Sequence, residues 1–64
     1  VISQFADALK KQLRADMNNY TDDLANGVCR DFESYKYLCG VIQGLALAER
    51  YVKDLADRAE NADE

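Results

Sequence analysis

The chain has 64 residues, eight of them Lys or Arg and twelve Asp or Glu, with no His and no Pro, for a formal charge of −4. Below roughly 70–80 residues a single core rarely supplies more than about 3–5 kcal/mol, so a stable form calls for a staple, a metal or a partner surface. Two Cys without His cannot close a tetrahedral zinc site, the acidic balance opposes a phosphate-backbone grip or an anionic membrane surface, and no apolar run nears the roughly 20 residues that span a bilayer.

The first predicted helix covers about residues 3–25. Ile2, Phe5, Leu9, Leu13, Met17, Tyr20 and Leu24 recur in steps of three and four, which is helical spacing and not strand alternation. The run Ile2, Leu13, Leu24 repeats every eleven residues, a period that follows a nearly straight helix. Ser3 is a candidate N-cap, and Asp7 and Lys11 are spaced to pair at i, i+4. Lys10, Lys11, Arg14, Asn18 and Asp22 form the solvated face. The basic trio within it is too small a cluster to read as a nucleic-acid site against the net negative charge.

Asn26-Gly27 is the strongest stop signal, because Gly accepts the left-handed backbone that follows a helix end. Asp31 offers the next N-cap, with Glu33 in the first turn. The intervening turn, about residues 26–30, is short, so the two helices should be antiparallel neighbours.

The second predicted helix covers about residues 31–59, followed by a frayed acidic tail at residues 60–64, where negative charge opposes the helix dipole. Leu38, Val41, Leu45, Ala48, Val52, Leu55, Ala59 and Ala62 alternate steps of three and four, a heptad seam. Tyr35, Ile42 and Tyr51 widen it, and Leu47 lies well off it. A stripe of that width suits contact with more than one helix. Leu38, Val41, Leu45, Val52 and Leu55 are expected to make the central packing, with Ile42, Leu47 and Tyr51 reaching a partner. Gly40 and Gly44, each costing about 1 kcal/mol relative to Ala, share a row with Ala48. They point to close approach of another backbone, from the first helix or from another subunit. Glu49–Lys53 and Asp54–Arg58 are i, i+4 pairs in the favourable order.

Catalytic constellations are sparse. The commonest general base is missing. Cys39 sits in an apolar run and Cys29 has only Arg30 beside it, so neither is placed as an activated nucleophile. In one continuous helix these cysteines would be about 15 Å apart, and they read as reduced, small apolar residues. Asp22-Asp23 lacks the spacing of a calcium loop. No enzyme activity and no cofactor are expected. The aromatics Tyr20, Phe32, Tyr35 and Tyr37 gather near the turn, either as a small core that closes it or as a docking patch.

The stretch Tyr37-Leu38-Cys39-Gly40-Val41-Ile42-Gln43-Gly44-Leu45-Ala46-Leu47-Ala48-Glu49, followed by Tyr51-Val52-Lys53-Asp54-Leu55, resembles small helical proteins encoded among the head and tail assembly genes of tailed bacteriophages. The resemblance covers mainly the second helix. It implies a multi-copy virion or assembly component, located in the virion or the host cytoplasm and bound to a capsid, portal or neck protein. It assigns no functional residue.

The expectation is an all-α antiparallel hairpin of two long helices, a single unit over 1–64. It is completed by oligomerisation or by docking on a partner. Its partners would be protein, itself or a larger virion component, with no small-molecule substrate, nucleic acid or membrane. Two rivals are a small acidic regulator that inhibits a host protein and a stand-alone homo-oligomeric bundle.

Overall fold

A computed structural model describes residues 1–61 and is an antiparallel hairpin of α1 (Ile2–Ala25) and α2 (Phe32–Asn61). The all-α hairpin expected from the spacing is what forms. It is a rod of 51 × 16 × 11 Å, its length set by the 30 residues of α2 at about 1.5 Å each.

The link between the helices follows from three residues. Asn26 is the C-cap of α1, and Gly27 takes φ +75°, a conformation that strains any residue with a Cβ. The Gly27 N–H then donates to the Leu24 carbonyl at 3.2 Å, and the Val28 N–H to the Asp23 carbonyl at 3.1 Å. This pair of reversed bonds satisfies carbonyls that the helix end would otherwise leave open. At the start of α2 the Asp31 carboxylate accepts the Ser34 N–H at 2.7 Å, as expected of an N-cap. That bond, with help from the Ser34 hydroxyl and against slight desolvation, holds the Asp31 carboxyl below its ordinary 3.8.

The start of α1 departs from expectation. Val1, not Ser3, occupies the N-cap position, and it makes no side-chain cap bond. Its carbonyl accepts the Phe5 N–H at 3.1 Å, so the helix is under way before Ser3 can cap it. Asp7 pairs with Lys10 at 3.5 Å and not with Lys11, since positions three and four apart are both neighbours on a helix surface.

The helices meet along a narrow seam. Ala6 and Leu38 are the buried hydrophobic residues of the described chain, at 5% and 9% exposure. Leu9, Leu13, Met17 and Leu24 of α1 are half-buried, as are Val41, Ile42, Leu45, Ala48, Val52, Ala56 and Ala59 of α2. Of the expected seam, Leu38, Val41, Leu45, Ala48, Val52 and Ala59 lie on the inner side, and Leu55 does not. Leu55 is 62% exposed, and Ala56 stands on the inner side instead. A straight α-helix drifts about 20° per heptad against a 3.5-residue repeat. After several turns that drift carries the contact line from Leu55 to Ala56. On α1 the same economy of contact leaves Phe5 and Ile2 outside, because small Ala6 takes the inner position at the open end. Contrary to the expected fraying from residue 60, α2 continues through Glu60 to Asn61; Ala62 and the remainder of the tail lie outside the described residues.

Candidate interaction surface

One cross-helix bond orients the hairpin. Arg14 donates to the Glu49 carboxylate at 2.6 Å, so these residues share one side of the seam. Glu49 thereby goes to α1 and not to Lys53, and among the described residues Asp54–Arg58 does not close either.

The other side of the seam is apolar and uncovered. Tyr37 is 74% exposed, Leu47 44%, Tyr51 58% and Leu55 62%, with Phe5 of α1 at 68%. Gly40 and Gly44 lie on the same row. A Cβ built on either would meet nothing within 4 Å. Hence α1 is not the backbone for which the small-residue row makes room, and among the described residues the row faces open space. Of the residues expected to carry packing or interaction, Leu38, Val41, Leu45 and Val52 line the interhelical seam, while Gly40, Gly44, Leu47, Tyr51 and Leu55 face outward. Ile42 lies apart from the other two residues expected to reach a partner. It is half-buried against the seam and does not project with Leu47 and Tyr51.

Two clefts mark the ends of this surface. At the open end of the hairpin, Ile2, Phe5, Ala6, Leu9, Val52, Leu55 and Ala56 line an apolar cleft of about 260 Å³. Near the turn, Asp23, Val28, Cys29, Glu33, Ser34, Tyr37 and Leu38 line a more polar and more open one of about 440 Å³. The aromatics there do not collapse into a core over the turn. Phe32 and Tyr35 stack at 6.4 Å between centroids with Lys36 Nζ 5.5 Å above the Phe32 ring, yet Phe32 remains 72% and Tyr35 45% exposed. Hydrogen bonding to the Cys39 side chain, followed by the charge that sulfur can carry and slight burial, raises the Tyr35 phenol above its ordinary 10.0. Cys29 and Cys39 are both free thiols and half-buried.

Sequence reasoning overlooked Ala6, Ala56 and the Arg14–Glu49 bond. Alanine carries a weak apolar signal, and only its place in the three-four spacing marks it. Among the described residues no group of His, Cys, Asp or Glu is placed to hold a metal ion, and no helix is long and apolar enough to cross a membrane. Comparison of the chain with protein families, with curated proteins and with solved structures finds no match.

Proposed function

We propose that this protein is a non-enzymatic structural interaction module that acts by packing the outer apolar row of α2 against other protein. The observation that carries this reading is the uncovered row itself. Tyr37, Leu47, Tyr51 and Leu55, with Phe5 beside them, keep 44–74% of their surface in water. Large apolar patches on a small protein mark sites of association, and Tyr is among the residues enriched in such sites. The resemblance of the Tyr37–Leu55 stretch to small proteins of tailed-phage assembly supports the finer form of the reading. In that form the chain is a multi-copy virion or assembly component seated on a capsid, portal or neck protein.

The test is co-purification. Particles are banded from a lysate that produces this chain, and their polypeptides are quantified by mass spectrometry. A virion component remains with the particles at a fixed copy ratio. An assembly component leaves with precursor particles. Recovery only in a stoichiometric complex with a host enzyme would overturn the reading in favour of an inhibitor.

A further inference from the structure

The outer row of α2 is self-complementary when reversed. Glu33, Tyr37, Gly40, Gly44, Leu47, Tyr51, Asp54 and Arg58 are all exposed, and their spacing alternates four and three throughout, which keeps them on one stripe of the helix. Turned end for end about the point between Leu45 and Ala46, this stripe meets itself in four kinds of pair. Glu33 falls opposite Arg58, Tyr37 opposite Asp54, Gly40 opposite Tyr51, and Gly44 opposite Leu47. Acid meets base, a phenol meets a carboxylate, and each glycine, with nothing within 4 Å of its missing Cβ, meets a large side chain. A parallel pairing would set Glu33 on Glu33, Arg58 on Arg58 and Tyr51 on Tyr51, so charge and bulk both select the antiparallel sense.

The exposed area fits such a partner. The hairpin exposes 5177 Å², about 1,000 Å² more than the roughly 4,100 Å² of a compact monomer of 7.2 kDa. A standard interface removes about 800 Å² from each partner. A seam from Glu33 to Arg58 is about 38 Å long, and in this register Tyr37 of the second copy falls opposite Asp54, next to Leu55 at the edge of the cleft that Phe5 also lines.

We propose that the occupant of this face is a second copy of the chain, docked antiparallel through α2 with Leu47 and Tyr51 seated over Gly44 and Gly40. This rests on the reading of the chain as an interaction module and names its first partner.

The test is sedimentation equilibrium of the full chain over a dilution series, with far-UV circular dichroism on the same samples. Wild type is expected to be a dimer. Gly44→Arg is expected to be a monomer of unchanged helicity, because the hairpin itself leaves that position open. Glu33→Arg sets Arg against Arg at both ends of the dimer and should weaken it about 2- to 30-fold, the range for two exposed ion pairs. Glu33→Arg/Arg58→Glu restores both pairs with reversed sign and should recover wild-type affinity. Three results overturn the inference: a helical monomer at every concentration, a dimer that survives Gly44→Arg, or a double swap no tighter than Glu33→Arg. A helical monomer that still bands with particles would locate the failure here, with a different protein on this face and the module reading intact.

Discussion

Truncation of Leu38 should be the most damaging single apolar deletion in α2. Leu38 is 9% exposed and lies where α2 first meets α1 after the turn. Leu→Ala at buried sites costs about 2–5 kcal/mol. Leu38 also borders the open cleft near the turn, so water can enter the space left behind, and the lower part of that range, about 2–3 kcal/mol, applies. A core of this size supplies only about 3–5 kcal/mol, so Leu38→Ala removes a large fraction of it. Leu47 is chemically the same residue at 44% exposure. Its truncation removes little that folding had buried and should cost under about 1 kcal/mol. Urea titration followed by circular dichroism, at a concentration below the self-association range, compares the two. Equal destabilisation by Leu38→Ala and Leu47→Ala would refute the assignment of inner and outer faces of α2.

Gly40→Ala should stabilise the isolated hairpin by about 1 kcal/mol, since its Cβ meets nothing within 4 Å, and raise the melting temperature by about 4–8 °C. A double-mutant cycle on Arg14→Ala and Glu49→Ala should return a coupling of about 0.2–1 kcal/mol, because the Arg14 side chain is 55% exposed. Asp31 ionises below its ordinary range in the folded chain. Its contribution is therefore complete above the unfolded-state pKa of about 3.9, and it is lost as the pH falls through the lower folded value. Asp31→Ser keeps a cap acceptor without that titration, so its melting temperature should fall less than that of wild type as the pH drops below about 4. Cys39→Ala should return the Tyr35 phenol toward its ordinary value in a spectrophotometric titration, since the Cys39 side chain is the main cause of its rise.

The residues that made the fold legible were those with one physical option. Gly27 ends α1 because the backbone there turns left-handed, and Asp31 starts α2 because a free N–H lies within its reach. The apolar spacing placed Leu38, Val41, Leu45 and Val52 correctly on the inner side. It could not choose between Leu55 and Ala56, where the slow drift of the helix decides, or between Phe5 and Ala6, where the smaller neighbour takes the contact. Nor did spacing separate Lys53 from Arg14 as the partner of Glu49. An i, i+4 pair is visible within one helix, whereas a cross-helix pair depends on the register of the hairpin. The outer surface was legible as excess apolar width, but its location on the row of Tyr37, Gly40, Gly44, Leu47 and Tyr51 required knowledge of which face α1 covers.

Melting of the unmodified chain as a function of its own concentration bears most directly on whether its outer face must be covered by a second copy. Mass action over about a hundredfold change in concentration alters dimer stability by about 2.7 kcal/mol, so the midpoint should climb by about 10 °C. One cooperative transition at an unchanging temperature across that span would mean that no second copy adds to the stability of the hairpin and that its exposed row of tyrosine and leucine is not covered by itself.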